Sequence, residues 1–215
     1  MRRKDQGRRR AQLAEAARAV LLERGAVGLR VKDVAQRSGL SPSAVLYYYP
    51  DLGDLLLDVS RDAMRRYTER RADAIRELAD PADQLRRMIS LGVPTGPDDE
   101  ESRLLYELDA LTGTSEVFAT LSAAFFDRQA LLYERVLERG AGAGAFELRG
   151  EAETFARGLV ALEDGLGLQV VLGHPEVDGV AAERILLAWA SAATGIDLGD
   201  AYAVASESKS SPRSE

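Results

Sequence analysis

Between Val31 and Tyr49 the chain must stop one short helix and start another within three residues. Val31, Val34 and Ala35 fall at the i, i+3, i+4 spacing of a one-sided helix. Ser38-Gly39 ends it, because glycine just past a helix can turn left-handed and relieve orphan carbonyls without a Cβ clash. Ser41 then supplies a cap for free amides, and Pro42 fits a first helical position, where its missing N–H costs nothing. Two helices joined this tightly make a helix-turn-helix, a unit whose second helix enters the major groove of DNA. The spacing points Pro42, Ser43, Ala44 and Tyr47 at base edges, and turns Val45 and Tyr49, with Leu46 beside them, toward a preceding helix. That helix carries Leu13, Ala17, Val20 and Leu21 on one face, with Arg10, Arg18 and Arg24 off it.

Charge divides the chain in the same place. Residues 1–50 hold 11 Lys/Arg against 4 Asp/Glu, and the other 165 hold 17 against 31. One end attracts phosphate and the other repels it, a split that the overall net charge of -7 conceals. The opening MRRKDQGRRR reads either as a solvated tail or as a basic arm for the minor groove.

The segment VKDVAQRSGLSPSAVLYYYPDLGDLL resembles the tetracycline-repressor (TetR-type) family of bacterial transcription regulators. Val34, Ala35, Gly39, Leu40, Ser41, Val45, Tyr47, Tyr48, Pro50 and Leu55 match the family pattern in type. Leu29-Arg30 stands where the family opens its first helix with Ser or Thr, Leu46 where it has Tyr, and Leu52 where it has Lys. The resemblance implies an all-α fold: an N-terminal three-helix helix-turn-helix domain joined by a long helix to a C-terminal helical ligand-binding and dimerisation domain. The expected divisions are 1–50 for the basic arm and DNA-binding domain, 51–200 for the effector-binding and dimerisation domain, and 201–215 for a disordered tail. The expected DNA contacts are Arg30, Val31, Lys32, Ser41, Pro42, Ser43, Ala44, Tyr47 and Tyr48. Arg30 offers a cation to phosphate in place of a hydroxyl, and Tyr48 is placed on phosphate. With neither Arg nor Asn on the second helix, specificity falls to Ser43, Tyr47, Ala44 on a thymine methyl, Lys32, Arg30 or DNA shape.

Beyond Pro50 every segment reads as helix: 52–78, 82–91, 99–111, 115–139, 150–172 and 178–195. The fourth carries Val117, Leu121, Phe125, Leu132 and Val136 with Phe118, Phe126 and Tyr133 alongside, a face wide enough to predict burial on several sides. GAGAGAF at 140–146 lacks the Gly-Lys-Ser/Thr of a phosphate loop and reads as a flexible turn. On the last two helices Phe155, Leu159, Leu162, Leu166 and Val170, with Ile185 and Trp189, make stripes that the resemblance assigns to a dimer interface, with Gly158, Ala161, Gly165 and Gly167 permitting close approach.

The resemblance also implies a small-molecule effector, unidentified, held inside the body. The candidate wall is Met64, Tyr67, Met88, Leu91, Leu105, Tyr106, Phe118, Phe125, Phe126 and Tyr133, although such a stripe at helical spacing is more often core than pocket. Glu163 lies on an apolar stripe, and a buried carboxylate must be paired or protonated; it either anchors a cationic effector or pairs with an arginine or the dimer mate. Asp109 raises the same question.

Composition removes other classes. There is no cysteine and only His174, in a Gly-His-Pro-Glu turn, so thiol catalysis, a His pair for metal and a Ser-His arrangement lack their parts. No cofactor and no metal are expected, and no enzyme. The apolar run near 185–196 is too short to span a bilayer, and the N-terminus lacks the apolar stretch of a secretory signal, so no membrane partner and a cytoplasmic location, on the nucleoid when bound, are expected. The reading is therefore a homodimer on a pseudo-palindromic double-stranded operator, a repressor released when effector moves the 52–78 helix. Two alternatives stand beside it: an all-helical module docking protein, and a regulator of the same type without a small-molecule ligand.

Overall fold

The computed structural model describes residues 2–199, with side chains from residue 6 onward. Among these residues the chain is helical throughout, without strands. The order is α1 (Arg2–Arg24), α2 (Val31–Ser38), α3 (Pro42–Tyr48), α4 (Leu52–Arg76), α5 (Pro81–Gly92), α6 (Glu100–Asp109), α7 (Glu116–Gly142), α8 (Ala152–Val171) and α9 (Gly179–Thr194), with a 3-10 turn at Thr112–Thr114 before α7. The expected tail at 201–215 and the roles of Arg2, Arg3 and Lys4 lie outside the described residues or side chains. No helix among the described residues is long and apolar enough to cross a membrane.

Two compact units divide the chain, and the cut falls elsewhere than residue 50. The first takes the chain up to Tyr67 together with Glu100–Phe125; the second takes Thr68–Asp99 and the chain from Phe126 onward. The helix-turn-helix therefore shares its core with the first part of α4, with α6 and with the start of α7.

The core of the first unit follows the apolar spacing of its helices. Leu13, Ala17 and Leu21 of α1, Val34 of α2, Val45 of α3 and Leu55 of α4 are 0 or 1% exposed and pack in one cluster. Burial of the leucine and valine side chains contributes about 1.5–3 kcal/mol each. Gly39 caps α2 at φ 70, and Ser41 Oγ accepts from Ala44 N–H at 3.2 Å. Tyr49 closes the unit: its hydroxyl donates to Asp58 of α4 at 3.0 Å, Asp58 pairs with Arg10 of α1 at 2.8 Å, and the Arg10 guanidinium lies 4.3 Å from the Tyr49 ring centre. Burial pushes the Tyr49 phenol up from its ordinary pKa.

In the second unit Leu85, Met88 and Ile89 of α5, Tyr133 and Leu137 of α7, Leu159 and Val170 of α8, and Leu186 of α9 form a second core. Asp80 caps α5 at the Ala82 N–H and Asp178 caps α9 at the Ala181 N–H.

Several expectations need correction. Leu46 is 42% exposed, because it lies one residue, or about 100°, round the helix from Val45. The glycine segment at 140–146 is not a flexible turn: α7 runs on to Gly142, and Phe146 folds back so that Ala145 and Phe146 N–H both bond to Gly140 O. A Cβ on Gly140 would sit 2.1 Å from the buried Phe146 ring, so the glycine makes room for a core aromatic. Nor is α7 buried on several sides within the chain, since Val117 and Leu131 are exposed and Leu121, Phe125, Phe126 and Leu132 only partly covered.

Candidate functional site

The outer surface of the helix-turn-helix is set by the inner one. With Val45 and Tyr49 in the core, α3 turns Pro42, Ser43, Leu46 and Tyr47 outward; Tyr47 is 71% exposed. Ala44 is half-buried, and so is Tyr48, whose ring meets that of Tyr47 edge-on at 5.1 Å. Ser41 caps the helix and its hydroxyl also meets that of Ser43 at 3.0 Å. The expected contacts Ser41, Pro42, Ser43 and Tyr47 thus share one exposed surface, joined by Leu46.

At the start of α2 the missing hydroxyl cap is replaced from within the helix. The Asp33 carboxylate reaches back to accept from the Arg30 N–H at 3.0 Å and also pairs with Arg24 at 3.0 Å. Asp33 was not singled out from the sequence; its place three residues after the cap is the signal that could have found it. Arg37 pairs with Glu23, so Arg24 and Arg37 are both neutralised within the unit. Arg30 and Lys32 are exposed with no ion-pair partner among the described residues, leaving two cations at the start of α2. Val31, expected at the DNA, is half-buried and packs on the core instead.

A loop and a distant helix brace this surface from behind. The Glu107 carboxylate of α6 accepts from the Ala26 N–H at 2.7 Å, beside Gly25, whose φ of +78 makes the turn out of α1. Arg103 of α6 donates to Leu22 O at 2.9 Å, and Arg18 of α1 reaches Glu100 at 3.3 Å. None of these α6 residues was expected from the sequence to matter, because only the fold brings positions about 80 apart together.

The expected effector wall divides between the two units. In the first, Met64, Tyr67 and Phe118 are nearly buried, Leu105, Tyr106 and Phe125 are half-buried, and Tyr67 meets Phe125 at 5.7 Å. Asp109 is exposed and accepts from the Ser122 hydroxyl at 2.6 Å, so it is a surface carboxylate and not a buried one. In the second, Met88 and Tyr133 are fully buried, while Leu91 and Phe126 are half-buried.

Glu163 is 4% exposed, and Arg71 of α4, unnoticed in the sequence, is 0% exposed beside it. The guanidinium donates to both Glu163 oxygens, at 2.7 and 3.1 Å, to Gln129 Oε1 at 3.0 Å, to Met88 O at 3.0 Å and to the Tyr133 hydroxyl at 3.0 Å. The Tyr133 hydroxyl in turn donates to Glu163. Burial pushes the Glu163 carboxyl up, opposed by Arg71 and by the Tyr133 hydroxyl. Of the two readings open for Glu163, pairing with an arginine of its own chain is the one observed. Four helices, α4, α5, α7 and α8, thereby meet on one guanidinium.

On α8 and α9, Leu159, Leu166 and Val170 are core residues and not an outer stripe, because α8 turns them onto α5 and α9. Phe155 and Trp189 pack on each other at 5.8 Å, and the Trp189 ring lies over Gly158, which is therefore not open to a partner; Gly167 is buried as well. The outward line on α8 is instead Ala161, Gly165 and Leu168, continued by Leu172 at the cap just past the helix, and on α9 Ala181, Ile185, Ala188 and Ala192, both at alternating spacings of three and four; Ala181 is half-covered and the others exposed. Leu162 is half-buried between these outward and inward faces.

Comparison with known proteins decides the family. Residues 13–59 match the family of bacterial regulatory proteins of tetR type, and residues 81–195, more than half of the chain, match the C-terminal domain of BetI-type transcriptional repressors. The chain belongs to the TetR family of transcriptional regulators. It is a regulator and not an enzyme. Among TetR-family relatives, it is 27% identical over 188 residues to the HTH-type transcriptional regulator PksA of Bacillus subtilis, covering 85% of this chain and 88% of that one. A transcriptional regulator from Saccharomonospora viridis, solved in complex with choline, superposes with a TM-score of 0.77 at 25% identity over 84% of this chain and 94% of the other. A TetR regulator from Haloarcula marismortui shares the fold, with a TM-score of 0.76 at 22% identity over 89% and 99%. TetR-family regulators bind DNA operators, dimerise and bind small-molecule effectors.

Proposed function

We propose that this TetR-family regulator acts as a homodimeric repressor in the cytoplasm, on a pseudo-palindromic operator, and leaves it when a small molecule binds the helical body. The observation that carries the proposal is the outward face of α3, Pro42, Ser43, Leu46 and Tyr47, together with Arg30 and Lys32 at the start of α2, exposed cations without an ion-pair partner among the described residues. Such a face suits a major groove, with Arg30, Lys32 and Tyr48 on phosphates and Ser43, Ala44, Leu46 and Tyr47 toward bases. The outward lines on α8 and α9 support pairing with a second copy, and a two-fold pair presents two α3 helices to half-sites spaced by whole turns of duplex.

Release follows from the path of α4, which belongs to the first unit up to Tyr67 and to the second from Thr68. A ligand that favours a different α4 position lowers operator affinity by its differential affinity for the two states, commonly about 5–150-fold. The choline held by the Saccharomonospora relative supports ligand response as such.

Selection of binding sites from a random duplex pool by the purified chain tests the proposal. A two-fold-symmetric motif is expected; enrichment of no motif would favour a module that docks protein.

A further inference from the structure

We infer that the effector of this chain is an amphipathic anion carrying a hydroxyl or amide donor, held in a cavity of about 340 Å³ formed by α4, α5 and α7. The inference deepens the ligand-responsive reading above and takes its regulatory meaning from it. The volume is within the range of about 300–1,000 Å³ usual for small-molecule sites.

Three arginines line the cavity, Arg76 from α4 and Arg135 and Arg139 from α7, and no acidic side chain does. Arg135 and Arg139 are one turn apart, a spacing at which like charges repel, and neither has an ion-pair partner among the described residues. Among the described residues Arg76 pairs with exposed Asp73, at 2.5 Å. Below the arginines the wall is apolar: Ile75 and Val136 belong to the core of the second unit. Carboxylate recognition by clustered arginines over an apolar floor selects a charged head with a hydrocarbon body.

A third feature asks for a donor. Gln84 lines the same cavity and is 3% exposed. Its Nε2 donates to Ile75 O and Leu78 O, both at 2.8 Å, which fixes the amide orientation. Its Oε1 is buried with no hydrogen-bond partner, and a buried acceptor left unsatisfied is costly. A ligand hydroxyl or amide N–H that displaces the groups covering this oxygen meets that need.

A cation lacks an equivalent place, because both oxygens of Glu163 are already taken by Arg71. The cavity and α4 share Ala72, Ile75 and Arg76, so occupancy acts on the helix that continues into the first unit.

Calorimetric titration of the full chain with 3-hydroxyoctanoate, octanoate and octyltrimethylammonium tests the inference, beside the Arg135→Gln, Arg139→Gln double variant, whose positions are exposed. Expected are binding of 3-hydroxyoctanoate, a weakening of at least about tenfold in the double variant from lost charge-assisted hydrogen bonds, weaker binding of octanoate and none of the ammonium. Equal binding by both proteins, no binding of either anion, or preference for the ammonium would overturn it; equal affinity for the two anions would overturn the role of Gln84. Operator binding is followed alongside. If the operator is bound and choline releases it while the anions do nothing, the ligand-responsive reading stands and the anion inference falls.

Discussion

Arg71 on α4 and Glu163 on α8 form a buried ion pair at 2.7 Å, and Gly92 on α5 makes the space for it. A Cβ at residue 92 would lie 1.8 Å from Glu163 Oε1. The guanidinium is thus enclosed by four helices and is the point at which α4 is tied into the second unit.

Breaking that pair from one side leaves an uncompensated buried charge. Glu163→Ala or Arg71→Ala is expected to cost about 3–5 kcal/mol, read as a lower urea midpoint. Replacing both by apolar residues of similar volume, as in Arg71→Met with Glu163→Leu, is expected to recover part of the loss, because no charge is left buried alone while Gln129 Oε1 and the Tyr133 hydroxyl still lose the guanidinium, and to alter the response of operator binding to effector. A double variant as unstable as the single ones would contradict the pairing.

Glu107 is expected to hold the exit of α1 in place for α2 and α3. Glu107→Ala removes the acceptor for the Ala26 N–H and is expected to cost about 1–3 kcal/mol. It should also speed amide exchange at Ala26 and lower operator affinity. Glu107→Gln keeps an acceptor oxygen and is expected to stay close to the parent. Equal behaviour of the two variants would show that the hydrogen bond is not what matters there.

Leu46 and Val45 are neighbours with opposite surroundings, 42% and 1% exposed. Leu46→Ala is expected to leave the melting temperature within about 2 °C and to weaken operator binding, since exposed positions rarely shift stability by more than about 0.5 kcal/mol. Val45→Ala is expected to lower the melting temperature measurably by leaving a cavity in the first core. Tyr48→Phe is expected to weaken all sites alike; a changed base preference, read by site selection, would move Tyr48 from phosphate to base.

The outward lines of α8 and α9 are expected to be covered by a second copy. Leu168→Glu with Ile185→Glu places four like charges across a two-fold axis and is expected to yield monomers by sedimentation, with folding retained because both positions are exposed. A dimer that survives these changes would place the interface elsewhere.

The helix-turn-helix was legible in the sequence because its signals are local. Gly39, Ser41 and Pro42 fix the turn by backbone conformation and capping alone, and the spacing of Leu13, Ala17 and Leu21 fixes the buried face of α1. Tertiary pairing was not legible. Arg71 reads as one more surface arginine on a charged helix until Glu163, 92 residues away, is brought against it. Likewise Leu159 and Val170 look like any apolar stripe; which of two apolar faces of α8 turns inward depends on α5 and α9, and the face with Ala161, Gly165, Leu168 and Leu172 is left outside. Gly140 misled for the same reason, since glycine suggests a loop locally and here admits the ring of Phe146.

The most direct measurement is the number of chains bound per selected duplex, followed with affinity across salt concentration. Two chains, or a multiple of two, are expected on each two-fold-symmetric duplex. If the dimer neutralises six phosphates, affinity is expected to fall roughly a thousandfold between about 50 and 200 mM salt. A single chain per duplex, or binding indifferent to salt, would contradict a homodimeric operator-binding regulator.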